Sequence, residues 1–235
     1  MTVKPTRLLD QYFYLFMSLL IAAVVVYGFS QTVEQRLLHA VPARPFLLYV
    51  HGAVFSGWVA FLILQSLLVR TNHVRWHRTL GWFGAALGVA VVVLGVWTAV
   101  VMSRFRVVHF NGRGAVANLG LSFYDIAAFA VSFALAIAWR KRPEYHRRLI
   151  LLATCALTSA AFGRFPASLI PSHWFFVGVD SLVLLGVVRD LIVSRRIHQV
   201  YRVGLPVFIV CQMAVMYVLL TDAPLWRGIA NAILR

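Results

Sequence analysis

Two histidines stand in near-copies of one pentapeptide: His77 in WHRTL (Trp76 to Leu80) and His146 in YHRRL (Tyr145 to Leu149). Each pentapeptide opens a long apolar run, and each histidine is followed by arginine, Arg78 in the first and Arg147–Arg148 in the second. Imidazole nitrogens ligate haem iron and divalent metals, and guanidinium forks grip carboxylates and phosphates. Two such histidines on parallel helices would hold one haem axially, with Arg78 and Arg147 pairing with its propionates. The same arginines beside the free N–H groups of two helix starts would equally make a site for an anion or a lipid headgroup. On the third reading the rings of Trp76, His77, Tyr145 and His146 simply anchor helix ends at the membrane interface. Topology control explains the arginines on any reading, although cations oppose the dipole at a helix N-terminus. It leaves the histidines unexplained.

A second set of polar residues lies inside apolar runs. His51, Asp125 and Asp180 each stand about five or six residues from the far ends of their segments, roughly 8 Å deep at helical rise. Arg164 falls in the same slab. Ionisable groups inside a membrane are expensive, face the bundle interior and tend to mark function. One histidine and two carboxylates suit a divalent metal such as zinc or iron, with water completing the shell. Alternatively Arg164 pairs with Asp125 or Asp180 and locks the helices together, which leaves one carboxylate over. Seven-residue spacings (His51, Trp58, Gln65 and Asn118, Asp125, Ser132) keep each stripe on one helical face. His39, His73, His109, His173 and His198 sit in loops or at helix ends and read as solvated residues.

The elements that must carry these residues follow from composition. Of 235 residues, 61% are hydrophobic and only 12% charged, against about 25% charged in soluble domains. The apolar runs approach the length needed to cross a bilayer, repeatedly. Seven spans result, roughly 11–30, 46–69, 79–102, 121–139, 149–168, 174–193 and 203–222. They must be helices, because lipid cannot satisfy backbone polar groups. The expectation is a single all-α domain, a seven-helix transmembrane bundle. Of the 22 Lys and Arg, 14 fall on the side of the first residue and 8 on the other, which places the N-terminus in the cytoplasm and the C-terminus outside. The first run follows Lys4 and Arg7 but lacks a small-residue cleavage pattern, so it reads as an uncleaved helix.

The net charge of +15 lies in short loops rather than on a polar domain, which points to anionic lipid headgroups and away from nucleic acid. Cys155 and Cys211 lie in apolar runs with no CxxC spacing and read as packing residues. The lysines are Lys4 and Lys141, both outside the apolar runs, so no buried amine is available for a retinal Schiff base. Gly81, Gly84, Gly88 and Gly95 share one face of the third span and read as a helix-packing seam.

The strings HGAVFSGW, WHRTLGW, YHRRLILLAT and VRDLIVSRRIH occur in order from about Phe46 to His198. Together they resemble a group of uncharacterised bacterial multi-pass membrane proteins, and more weakly the membrane b-type cytochromes. The resemblance implies a bacterial inner-membrane location without an assigned activity. Against the two-haem cytochromes, this chain lacks two pairs of deep histidines. Two functions from different classes are expected to compete. One is a redox-linked protein holding haem b or a divalent metal, through His77, His146, Arg78 and Arg147 or through His51, Asp125 and Asp180. The other is a non-catalytic assembly factor or a binder of lipid or quinone at interfacial His-Arg sites. Membrane lipids are the partners implied, and the protein partners are not. No serine or cysteine nucleophile is marked for hydrolysis, and no broken helix or inverted repeat marks a transporter.

Overall fold

The computed structural model describes residues 5–112 and 114–235, so Lys4 and Arg113 lie outside the described residues. Among the described residues the regular structure is all helical, with no strand. In order it forms α1 (Pro5–Ser30), a π-helical turn (Glu34–Leu38), α2 (Phe46–Arg70), α3 (Val74–His109) and α4 (Ala115–Ala138). After these come α5 (Pro143–Ala156), α6 (Ser159–Phe162), α7 (Phe175–Ser194), α8 (Gln199–Thr221) and α9 (Pro224–Leu234). Five segments are long and apolar enough to cross a membrane: Leu8–Ser30, Phe46–Arg70, Val74–His109, Ala115–Ala138 and Gln199–Thr221.

The two remaining expected spans differ for separate reasons. The fifth, expected over 149–168, starts earlier and breaks after Ala156. There Leu157 N donates to Thr154 O (3.2 Å) and Thr158 N to Cys155 O (3.0 Å), bonds of the tighter three-residue kind. The Thr158 hydroxyl also donates to Cys155 O at 2.6 Å, the local competition that bends helices. The expectation of no broken helix is therefore corrected. The sixth span, α7, has length enough at 20 residues, but it carries Asp180, Arg189 and Asp190.

The third span, expected to stop at 102, continues to His109. At 36 residues it is about 54 Å long, against a hydrocarbon core of about 30 Å. Arg104 and Arg106 end the apolar run without ending the helix. A last helix, α9, was not expected. Pro224 opens it, at a first-turn position where a missing N–H costs nothing.

Glycines let α3 sit close to its neighbours. A Cβ on Gly84 would strike Phe61 of α2, on Gly88 the Phe133 ring and on Gly95 the Ile126 side chain, both of α4. Gly81 faces open space instead. Phe13, Met17 and Ile21 of α1 pack with Leu151, Cys155, Val179, Val183 and Tyr201 in the main apolar cluster. A second cluster centres on Trp58, Val91, Phe129 and Phe133, and Trp226 and Ala230 tie α9 to α3 and α4 in a third. This packing brings together the starts of α1, α3, α5 and α8 with the ends of α2, α4 and α7. His77 and His146 sit at that end of the bundle.

Candidate functional site

The His77 and His146 rings stand beside each other in a T-shaped arrangement, with centroids 6.4 Å apart and planes at 77°. His77 lies in the first turn of α3, set by the register that follows His73 at the helix start. His146 lies in the first turn of α5, after Pro143. Its Nδ1 is 2.9 Å from the carbonyl of Ala136 on α4. A carbonyl only accepts, so Nδ1 carries the proton and Nε2 is the nitrogen left for a ligand. His77 Nδ1 is buried without a partner.

Both rings line a cavity of about 430 Å³ between α1, α2, α3, α4 and α5, within the range of small-molecule sites. Trp58, Phe61, Phe133 and Ile150 give it apolar walls, and Gly81 leaves room at its side. Trp58 is held by donating to the Thr154 hydroxyl at 3.2 Å, with its ring edge-on to Phe129 and Phe133. Five lining residues also carry buried side-chain atoms that lack a partner among the described residues: Tyr14 Oη, both amide atoms of Gln65, Arg70 Nε, His77 Nδ1 and Arg147 Nε. Buried polar groups are normally paired, so their convergence on one cavity marks it as a place for a polar or amphipathic ligand.

The arginines are only partly those expected. Arg147 lines the cavity. Arg78 is exposed and is not among the lining residues, because one residue beyond His77 turns about 100° around the helix and away from the interior. Arg70, from the end of α2, stands in the cavity wall instead. Its guanidinium lies 3.8 Å over the Tyr12 ring and donates to the Tyr12 hydroxyl.

Beside the cavity lies an ion network that sequence reasoning missed. Arg148, 2% exposed, donates twice to the fully buried Asp190 carboxylate, Nε to Oδ2 at 2.9 Å and Nη2 to Oδ1 at 2.5 Å. Its Nη1 reaches the Glu144 backbone and carboxylate at 2.8 and 2.6 Å. Arg189, equally buried, donates to Asp190 at 2.8 Å and to Asp10 of α1. The Tyr14 ring lies beneath the Arg147 and Arg189 guanidiniums. Asp10, Tyr14 and Arg147 belong to both the network and the cavity wall. The signal available in the sequence was the adjacent Arg189–Asp190 inside an apolar run, since charges there must find partners.

His198 caps α8 at this end, its Nδ1 accepting the Val200 N–H at 3.2 Å. Burial and then the nearby Arg148 charge hold its pKa below the usual histidine value, against the opposing pull of Asp190 and Glu144. A lowered folded pKa means stability present above about pH 6.5 and lost as pH falls through the folded value. Protonating Nδ1 also removes the cap. The slope of stability against pH below 6.5 will be smaller in His198→Asn, whose amide oxygen caps without titrating, as thermal melts in detergent at stepped pH would register.

The deeper set does not assemble. Among the described residues no group of three His, Cys, Asp or Glu side chains could hold a metal ion. His51 stacks on Phe55 at 3.9 Å with its Nδ1 unpaired. The buried Asp125 receives the Ser159 hydroxyl at the α5–α6 break, and Asp180 receives the Gln212 amide at 3.0 Å. Equal depth along the helices did not bring them to a common point, because they face different neighbours around the bundle. Arg164 also pairs with neither carboxylate. It donates to the Thr32 hydroxyl at 3.2 Å and to the Ala160 carbonyl, with Phe29 4.2 Å beneath its guanidinium.

No protein-family model, curated protein or solved structure matches the chain, so its function has to be argued from its own geometry.

Proposed function

We propose that this is a bacterial inner-membrane protein that holds one haem b between His77 and His146 in a redox-linked role. The observation that carries the reading is the pair of rings 6.4 Å apart in one cavity. That separation would let both histidines hold one group lying between them, and imidazole nitrogen is a usual ligand of haem iron. Bound haem would supply one-electron chemistry at its iron.

The chain's own residues prepare the place. The Ala136 carbonyl orients His146 and keeps its Nε2 unprotonated, the usual support for a ligating histidine. Arg70 and Arg147 offer buried, unpartnered Nε–H groups to acidic substituents. Trp58, Phe61 and Phe133 exclude water from the inner wall. Seven crossings follow if α5–α6 and α7 also cross, and their strongest charges are already turned inward, Arg148, Arg189 and Asp190 being at most 2% exposed. The excess of Lys and Arg on the side of the first residue then supports a cytoplasmic N-terminus.

A second reading has its own support. Gln65 leaves its amide N–H donor unpaired in the cavity that Tyr14 also lines, which suits the carbonyl of a quinone head, and its unpaired oxygen suits the hydroxyl of the reduced form. An optical spectrum of the purified protein, oxidised and then dithionite-reduced, separates the two. The expected result is a Soret band that shifts on reduction, disappears in His77→Ala and in His146→Ala, and persists in Arg78→Gln. A featureless spectrum from protein made with ample haem would remove the haem reading, and solvent extraction of the same sample would then test for quinone.

A further inference from the structure

At the end of the bundle opposite the histidines, four arginines from four separate segments meet. Arg36 comes from the π-helical turn, Arg44 from the connection before α2, Arg106 from the last turn of α3 and Arg164 from just beyond α6. Thr32 joins two of them, its carbonyl accepting the Arg36 N–H at 2.9 Å and its hydroxyl accepting from Arg164 at 3.2 Å, while Arg44 lies over Phe105 and Phe110, which flank Arg106. Among the described residues none of the four forms an ion pair with a carboxylate. This contrasts with the other end, where Arg147, Arg148 and Arg189 all have acidic partners.

The cluster is held in place by rings and carbonyls. Arg44 donates from Nε to the Arg36 carbonyl at 3.4 Å, with its guanidinium over Phe105 and Phe110 at 5.0 and 5.2 Å. Arg164 is fixed by Phe29, Thr32 and Ala160, as above. The C-terminal ends of α1 and α3 point here, each worth roughly half a negative charge at most. Four full positive charges exceed that offset. Glu34 stands in the same turn as Arg36 but pairs with none of the four, and a converging set of guanidiniums without ion-paired acids is the chemistry that recognises a phosphate group. The surrounding surface adds a second element: Phe29, Leu38, Val41 and Val108 are 40–89% exposed. An apolar rim beside a cationic cluster fits a headgroup with its acyl chains and gives nothing to a free ion.

We propose that Arg36, Arg44, Arg106 and Arg164 form a binding site for a phosphate-bearing anion, the headgroup of an anionic phospholipid. The site is independent of the haem reading, since no residue is shared.

The test uses the full chain in neutral phosphatidylcholine nanodiscs doped with phosphatidylglycerol, read by native mass spectrometry and thermal unfolding. The expected result is a retained phosphatidylglycerol adduct and a raised melting temperature. In Arg106→Gln/Arg164→Gln the affinity should fall roughly tenfold, the effect of losing about 1.4 kcal/mol of binding. If that variant does not fold, Arg36→Gln/Arg44→Gln, on the more open side of the cluster, decides the matter in the same way. The exposed pair Arg195→Gln/Arg196→Gln at the other end removes the same charge and should leave the adduct intact. Equal protection by inorganic phosphate alone would keep the phosphate site and overturn the lipid as its source. Equal adduct retention in parent and cluster variants, or equal loss in the Arg195/Arg196 control, would overturn the site itself.

Discussion

Replacing Asp190 with asparagine will destabilise the protein by about 3–5 kcal/mol, the cost of breaking a buried ion pair. The carboxylate accepts from Arg148 Nε and Nη2, from Arg189 Nη1 and from the His198 N–H. An asparagine side chain keeps one acceptor oxygen and turns the other into a donor aimed at a guanidinium. Arg148 and Arg189, each 2% exposed, cannot reach water without unpacking α5 from α7. Glu144 and Asp10 would hold one guanidinium each, which sets the loss at breaking a pair rather than stranding both cations. The exposed pair Asp222–Arg227, at 60% and 52% exposure, is the contrast: Asp222→Asn should cost no more than about 1 kcal/mol. Unfolding in mixed detergent micelles with increasing SDS would measure both. A further arm tests the mechanism: Arg148→Met with Asp190→Leu should recover much of the loss, since replacing both partners by apolar groups is far cheaper than removing one. An Asp190→Asn melt indistinguishable from that of Asp222→Asn would mean that the network is solvated and the account wrong.

That network also shows where sequence reasoning reaches and where it stops. The His77–His146 pairing was legible because a repeated pentapeptide put the same residue at the start of two helices that run the same way. What no repeat could supply was azimuth, the direction a side chain takes around its helix. Arg78 was expected at the cofactor because it follows His77, yet one residue of helical rotation sends it outward, and Arg70 from another helix enters the wall. Azimuth also undid the proposed metal triad. His51, Asp125 and Asp180 were matched by depth, but Ser159 and Gln212 supply neutral hydrogen bonds to the two carboxylates from whichever helix each faces. Boundaries failed for a different reason. Hydropathy marks where lipid ends, whereas α3 continues through Arg104 and Arg106 because nothing in that stretch breaks a helix. The α5–α6 break was invisible because it depends on the Thr158 hydroxyl bonding to the Cys155 carbonyl one turn back, a choice that threonine does not make in every helix.

Among the glycines, Gly28 is expected to be the least tolerant and Gly57 among the most, although both lie inside long helices. A Cβ at Gly28 would collide with the backbone of Ala161, its carbonyl included. Backbone cannot rotate away as a side-chain tip can, so Gly28→Ala must push α1 off α6, at about 1–3 kcal/mol for overpacking and more if the joint opens fully. At Gly57 nothing lies within 4 Å of the added atom, and alanine is the better helix former by up to about 1 kcal/mol. Gly57→Ala should therefore be neutral or slightly stabilising, giving two identical substitutions with opposite signs. The Gly28 joint carries a second consequence. Phe29 and Thr32, one and four residues further on, are what hold Arg164. Separating α1 from α6 would move them away from it, so Gly28→Ala should also weaken phosphatidylglycerol retention while leaving the cavity around His77 and His146 in place. Thermal melts of both variants in one detergent, with native mass spectra of the lipid adducts, test the stability and lipid effects together. A Gly28→Ala protein as stable as Gly57→Ala would show that α1 and α6 do not approach this closely.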